Sequence, residues 1–318
     1  MEGRLRIPDA EIAEILSAEE VVESCDRAFR LYGSGEALNP PRKEDVRRTE
    51  GADLFRLEMP AEWPGRYRAR KVIVERSDVA SGRLAGRTAV IELDDVATGR
   101  RAELDAEYLT NMRTGAAGAL GVRYLAANAE VLAIVGTGRI ARALALCADA
   151  ALVPREIRAT SRSAANVAAF AAHVQPRVNA RVRSMNAIGD CLAGADAVLT
   201  AVPTPRPILG RRDVGDAVHL SVIAGDPRTA QLDPGLLSGR EVVADHPEQV
   251  LKSGDFLLAG LGGERLVRGG EGRVLTIGDA ALGRLEDRRG QGAIAYFTGM
   301  AIQDLMAAVQ VYERVTGR

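Results

Sequence analysis

Apolar positions follow two alternating patterns in the middle and later parts of the chain. Short apolar runs typical of buried strands alternate with segments whose apolar residues recur every three to four positions, as in amphipathic helices. The runs predict strands at 131–135, 156–160, 182–185, 197–201, 217–223 and 241–244, and the periodic segments predict helices at 140–150 and 164–174. This alternation indicates an α/β fold with a doubly wound parallel sheet.

The flanking regions have a different pattern. A helical periodicity covers residues 12–32, is divided by Ser17 as a predicted N-cap and ends at Gly33-Ser34-Gly35. Strand-like stretches at 53–59, 67–74 and 88–94 predict a small sheet with this helix against it, and an Ala- and Leu-rich helix is expected over 106–127. Residues 260–292 are dense in Gly and Arg and predict loops, and 295–313 predicts a final helix.

Composition removes several classes of protein. The chain has 318 residues, enough for about two domains. Its 42 Lys and Arg against 43 Asp and Glu, with only 4% aromatic residues, disfavour a nucleic-acid partner. Three scattered cysteines and three histidines without metal-ligand spacing predict no disulfide framework and no metal site. No signal peptide and no membrane-spanning apolar run is recognised, so we expect a cytoplasmic protein with no membrane partner.

The most specific motif is a glycine-rich turn between a predicted strand and a predicted helix. It reads Val135-Gly136-Thr137-Gly138-Arg139-Ile140-Ala141, the GxGxxA pattern of dinucleotide-binding folds. Gly136 permits the tight turn, Gly138 lets the backbone approach a pyrophosphate, and Ala141 lets the helix pack closely on the strand. Thr137 and Ile140 belong to the same predicted cofactor loop, and Arg139 either approaches a phosphate or is solvated at the helix start.

The next strand bears on which dinucleotide binds. Its tip reads Ser161-Arg162-Ser163 and lacks the carboxylate that usually holds a ribose without a 2′-phosphate. Two hydroxyls and a guanidinium suit a 2′-phosphate, so NADP(H) is favoured and NAD(H) stays possible. The alternative is a solvated loop in which Ser163 caps the following helix. Thr200 and Pro203, at the end of a further strand, are candidates for lining the cofactor site.

These landmarks together resemble the ornithine cyclodeaminase/mu-crystallin family over essentially the whole chain. The segment Leu109-Thr110-Asn111-Met112-Arg113-Thr114-Gly115-Ala116-Ala117 is similar to the family's LTxxRTxAA helix. Met59-Pro60-Ala61 with Lys71, the loop Ala224-Gly225-Asp226, and the ending Phe297–Leu305 are also similar. The archaeal alanine dehydrogenase branch resembles this chain most by eye.

The resemblance implies a Rossmann domain beside a smaller α+β domain for substrate binding and dimerisation. The expected division gives 1–116 with 300–318 to the smaller domain and 117–299 to the Rossmann domain, in a homodimer. Arg42, Lys71 and Arg113 would converge on a substrate carboxylate, with Thr88 offering a hydroxyl. Surface charge remains an alternative for Arg42, and an ion pair for Arg113.

Asp226 follows an apolar strand at the edge where doubly wound folds bind ligands, and it would hold the substrate ammonium or move a proton at its nitrogen. An Asp-Pro turn is the alternative. The resemblance implies an NAD(P)-dependent oxidoreductase acting on a small α-amino acid or its imine or keto acid. Lys71 and Asp226 are then the candidate catalytic residues.

Two other functions compete with this one: redox-neutral cyclodeamination of ornithine, and binding of NADPH without catalysis, as in a crystallin. Family cyclodeaminases usually read Glu-Leu-Met-Pro where this chain reads Leu57-Glu58-Met59-Pro60. A one-residue offset in a strand moves a side chain to the opposite face. We therefore expect Glu58 to be unable to receive a substrate amine, which disfavours cyclodeamination.

Overall fold

A computed structural model describes residues 5–49, 52–78 and 84–318 of the chain. The first part forms a six-stranded sheet. Its strands are β1 (Leu5–Ile7), β2 (Lys43–Arg48), β3 (Ala52–Trp63), β4 (Tyr67–Asp78), β5 (Leu84–Asp95) and β6 (Arg101–Asp105). The order is β1-β6-β5-β4-β3-β2, with every neighbouring pair antiparallel except β1 and β6.

Four helices cover this sheet or connect it to the rest of the chain. The first helices are α1 (Asp9–Ile15), α2 (Ala18–Ser34) and α3 (Glu107–Leu125). As predicted, Ser17 caps α2, in a capping box with Glu20, and the helix ends at Gly35 in the left-handed region. The final helix α11 (Ala301–Thr316) returns to pack on α2 and on the six-stranded sheet.

The second sheet has seven strands, all parallel, in the order β12-β13-β11-β10-β7-β8-β9. The strands are β7 (Val131–Val135), β8 (Glu156–Thr160), β9 (Arg181–Met185), β10 (Ala197–Thr200), β11 (His219–Ile223), β12 (Val242–Ala244) and β13 (Ile294–Phe297). The accompanying helices are α4 (Arg139–Leu152), α5 (Ala164–Val174), α6 (Ile188–Leu192), α7 (Pro234–Ser238), α8 (Pro247–Val250), α9 (Gly254–Ala259) and α10 (Ile277–Ala281). The predicted doubly wound sheet is therefore confirmed.

The strand order reverses at β7, because β8 and β9 extend the sheet on one side and β10 and β11 on the other. The carboxyl edge at such a reversal is where doubly wound folds bind ligands. The loops after β7, β8, β11, β12 and β13 all meet at this edge because the strands are parallel.

The prediction for the end of the chain was wrong. The expected helix over 295–313 is divided: Ile294–Phe297 is strand β13, between β11 and β12, and α11 begins only at Ala301. All four residues of β13 are buried, and a short, wholly apolar run does not distinguish a buried strand from the start of a buried helix. Gly299, with φ +86°, makes the turn between strand and helix.

Candidate active site

The glycine-rich turn has the geometry expected of a dinucleotide site. Gly136 has φ +114°, a conformation that other residues rarely adopt. Gly138 is the N-cap of α4 and offers no side chain to the first helical N–H groups. A Cβ atom on Gly138 would meet no atom within 4 Å, so the space above this backbone is open. These free N–H groups and this open space fit a pyrophosphate.

The tip of β8 carries the two serines and one exposed arginine. The Ser161 hydroxyl donates to the Ser163 carbonyl at 3.2 Å, and Ser163 caps α5 by accepting from the Asn166 N–H at 3.3 Å. The predicted alternative role of Ser163 as a cap is thus confirmed. Arg162 forms no hydrogen bond or ion pair with another described residue, which leaves its guanidinium free for a ligand.

Three further candidates are less well placed to contact a cofactor. Arg139 pairs with Glu107, in agreement with the solvated alternative. Thr200 is fully buried and donates to the Gln231 side chain at 2.7 Å, so its hydroxyl is occupied within the fold. Pro203 is exposed beyond the end of β10. Thr137 and Ile140, by contrast, are partly exposed at the turn, and Ile140 lines the cavity described below.

Lys71 and Arg113 meet in the interior on a single carboxylate. Lys71 Nζ lies 2.7 Å from Asp304 Oδ2, and Arg113 Nε donates to Asp304 Oδ1 at 3.0 Å. The three side chains come from β4, α3 and α11 and are at most 6% exposed. Two cations share one anion, so the cluster carries a net positive charge in a region that water barely reaches.

Burial and then the charge of Arg113 lower the pKa of Lys71 from 10.5 to about 8, although Asp304 opposes the shift. The ammonium is therefore held in an environment that lacks enough negative charge. An incoming carboxylate would supply that charge.

Arg113 lines a cavity of about 240 Å³ whose walls come from α3, α4, α11 and the carboxyl ends of β11 and β13, and Lys71 and Asp304 lie behind it. Its lining includes Arg113, Ile140, Gly225, Thr298 and Gly299. Ile140 is in the first turn of α4, directly after the glycine-rich turn, so Arg113 and the dinucleotide site meet at one cavity.

Arg42 lies in a neighbouring cavity of about 530 Å³ that also reaches Gly225. Its guanidinium donates to Gln249 Oε1, and no described carboxylate is within ion-pair distance of it. Burial lowers the pKa of Arg42; the negative charges of Asp245 and Glu44 oppose this shift, and the positive charge of Arg113 adds to it. Lys71 and Arg113 therefore meet on one carboxylate, whereas the convergence of Arg42 with them on a substrate stays a prediction.

Asp226 follows β11 at the rim of these cavities, one residue beyond Gly225. Its carboxylate accepts two or more hydrogen bonds from Arg228, including one at 2.6 Å, and its side chain is 37% exposed. These hydrogen bonds lower the pKa of Asp226. An ionised carboxylate suits ammonium binding better than it suits proton donation.

The register of the small sheet decides two sequence predictions. Thr88 pairs with Val74, three positions from Lys71, so Thr88 is on the opposite face and does not join the cluster. Glu58 pairs with Val72 and also lies on that opposite face, where it contacts Arg56 and Arg70. The expectation that Glu58 cannot reach the site is confirmed.

Sequence reasoning missed Asp304, which was noted only as part of a family-like ending. It also missed Asp245 and Gln249, which follow β12. No described group of three or more His, Cys, Asp or Glu side chains is arranged to hold a metal ion. Within the described residues, no helix has both the length and the apolar character needed to span a bilayer.

The fold and the site define a two-domain dinucleotide-binding protein with a buried cationic pocket beside the cofactor turn. A family model described as the ornithine cyclodeaminase/mu-crystallin family matches residues 7–318, and the chain belongs to this family.

Individual relatives agree with this assignment. An alanine dehydrogenase of Archaeoglobus fulgidus is 29% identical over 99% of this chain and 96% of that protein. The ketimine reductase mu-crystallin of Rattus norvegicus is 27% identical over 67% of this chain, and the match spans 64% of that protein. The solved structure of an archaeal alanine dehydrogenase dimer with bound NAD superposes with a TM-score of 0.83 and 27% identity, covering 99% of this chain and 96% of that chain.

Proposed function

We propose that this protein is a nicotinamide-dependent oxidoreductase that acts on a small α-amino acid and its imine or keto acid. The observation that carries the proposal is the pair of cations, Lys71 and Arg113, sharing the single carboxylate of Asp304 beside the dinucleotide turn. A substrate carboxylate would complete the charge balance of this cluster.

The chain's own residues have distinct roles in this proposal. Lys71 and Arg113 hold the substrate carboxylate, and Arg42 reaches it from the neighbouring cavity. Fixing the carboxylate orients the α-carbon toward the cofactor face of the cavity. When bound, the nicotinamide supplies or accepts the hydride. Asp226, ionised at neutral pH, binds the substrate nitrogen in its protonated form.

The relatives support this substrate class through their names. One is an alanine dehydrogenase and another a ketimine reductase, so both act at a carbon that bears nitrogen. Cyclodeamination receives no support from the position of Glu58, which faces away from Lys71. Binding without catalysis is disfavoured because Arg113 lines the cavity, Lys71 lies behind it on the same carboxylate, and Asp226 is at the rim.

The experiment is a panel of α-keto acids with ammonium or methylamine, and of cyclic imino acids, each incubated with NADPH or NADH. Oxidation of the reduced cofactor by one of these substrates is the expected result. Release of ammonia from ornithine with no net change in cofactor absorbance would favour cyclodeamination instead. Tight cofactor binding without turnover of any of these compounds would contradict an oxidoreductase.

We further propose that NADP(H) is preferred to NAD(H). The free guanidinium of Arg162 and the two neighbouring hydroxyls support this preference, as does the lack of a carboxylate at the tip of β8. The variant Arg162→Ser should weaken NADPH binding at least about tenfold and leave NADH binding nearly unchanged. Equal losses for both cofactors would contradict a 2′-phosphate contact.

A homodimer is proposed as well, because a similar solved structure is a dimer. The molar mass measured by light scattering after size-exclusion chromatography would test the dimer. A mass near the 33.8 kDa of one chain would contradict the dimer.

A further inference from the structure

Arg42 is half-buried and hydrogen-bonds an uncharged partner, although the charges that act on it come from Asp245 and Glu44 as well as from Arg113. Its guanidinium donates to Gln249 Oε1. A neighbouring carboxylate would be the usual partner for a half-buried arginine. Glu248, the residue before Gln249, is exposed and forms no ion pair with another described residue.

Gln249 is itself held by a buried network at the carboxyl edge of the parallel sheet. Its Oε1 lies 3.0 Å from the Thr298 hydroxyl, which is 3.1 Å from Asp245 Oδ1. Asp245 is fully buried and also accepts from the backbone N–H groups of Thr298 and Gly299, each at 2.8 Å. The amide oxygen that meets Arg42 is therefore fixed by β12, α8 and the turn after β13.

The same turn contacts the second guanidinium of the site. A Cβ atom on Gly299 would come within 2.9 Å of Arg113 Nη1, so the backbone packs directly against that side chain. One buried carboxylate, Asp245, thus anchors the turn that supports Arg113 and the amide that supports Arg42. The relative placement of the two guanidinium groups depends on this network.

We propose that Gln249 is a positioning residue that orients Arg42 through a neutral acceptor and so leaves its charge available for the substrate carboxylate. This inference rests on the proposed function, because it requires that the cation cluster binds a carboxylate. It adds a specific requirement: the side chain at 249 must accept a hydrogen bond and must not carry a negative charge.

The test compares Gln249→Leu with Gln249→Glu. Leu removes the acceptor and frees Arg42, so the dissociation constant of pyruvate from the enzyme with bound reduced cofactor should rise about tenfold. Glu keeps an acceptor of the same size but neutralises Arg42, so the dissociation constant should rise at least about tenfold more than with Leu. A purely structural role predicts the reverse order, because Glu preserves the network that Leu breaks.

Control variants distinguish a positioning role of Gln249 from a structural one. Gln291 is exposed and distant in sequence, and Gln291→Glu adds the same charge with no expected change in pyruvate binding. In an Arg42→Met background, Gln249→Leu and Gln249→Glu should have no further effect on pyruvate binding. The inference would be overturned if Gln249→Glu bound pyruvate as well as wild type or as well as Gln249→Leu. It would also be overturned if the Gln249 substitutions still changed pyruvate binding in the Arg42→Met background.

The failure of the proposed function gives a different result. If wild-type protein binds no α-keto acid and turns over none, the carboxylate-binding role of the whole cluster fails. If wild type binds pyruvate and Lys71→Met does not, the cluster is established, and the order of the two Gln249 variants alone decides the inference. Cofactor affinity and the melting temperature, measured for every variant, identify a change in folding.

Discussion

Lys71 should make the affinity of the site for carboxylates fall as the pH rises above about 8. Its ammonium is 1% exposed, and its pKa is about 8 instead of 10.5. When Lys71 loses its proton, the cluster loses one positive charge. The attraction for a substrate carboxylate then becomes much weaker.

The expected magnitude follows from the proton equilibrium. If only the protonated form binds, the dissociation constant rises about tenfold for each pH unit above the pKa. At about pH 10 the loss reaches about 100-fold, which is about 3 kcal/mol of binding free energy. Below about pH 7 the affinity should be constant, since the lysine is protonated and the carboxylate of pyruvate is ionised.

Pyruvate binding, measured by its effect on the fluorescence of bound reduced cofactor with no amine present, gives this dissociation constant without turnover. Lys71→Met should bind weakly at every pH and should show no dependence on pH above about 7. Arg70→Met is the matched control, because Arg70 is the adjacent residue on the opposite, exposed face of β4, where it pairs with Glu92. Arg70→Met should keep the wild-type profile.

Two results would refute the reasoning. One is a wild-type dissociation constant that stays constant from about pH 7 to about pH 10. The other is a Lys71→Met variant with the same fall in affinity as wild type, since the titrating group would then be elsewhere.

Three other predictions test the site and the fold. Asp304→Asn should move the fall in affinity to lower pH, because the lysine loses its anion, and should cost about 3–5 kcal/mol of stability. Asp279→Asn, which removes a buried carboxylate paired with the exposed Arg273 outside the site, should lower the melting temperature without moving the pH profile. Gly138→Ala should leave the melting temperature unchanged and weaken dinucleotide binding at least about tenfold, measured by fluorescence titration, because its Cβ enters open space above the turn. Gly33→Ala should destabilise the protein by about 2 kcal/mol or more in urea unfolding, because its Cβ would lie 2.3 Å from the Gly278 carbonyl oxygen where α2 crosses α10.

The parallel sheet was predictable because each of its buried strands is bounded by turn residues and helical segments. Strand β8 (Glu156–Thr160) and helix α5 (Ala164–Val174) have the predicted bounds. The edge strand β2 (Lys43–Arg48) was missed, since all six of its residues are exposed and it carries no alternation of apolar and polar residues. Its pairing with β3 is determined by tertiary structure and not by its own pattern.

The site was predictable only where a local motif carries it. The glycine-rich turn is read from consecutive residues, because the chemistry depends on one strand, one turn and one helix start. Asp304 is on the last helix, 191 positions from Arg113, and its significance comes only from the packing of α11 against α3 and β4. No spacing along the chain reports such a contact.

Gln249 was missed because it is a neutral hydrogen-bond acceptor. A search for site residues in a sequence looks for charged and nucleophilic side chains, and Gln249 is neither. Its importance follows from charge balance. Asp304 already offsets one of the two cations it contacts, and a second carboxylate at position 249 would offset Arg42 as well. Asp304 holds Arg113 at the cost of one charge, whereas the amide oxygen of Gln249 holds Arg42 and leaves its charge available to attract an anion.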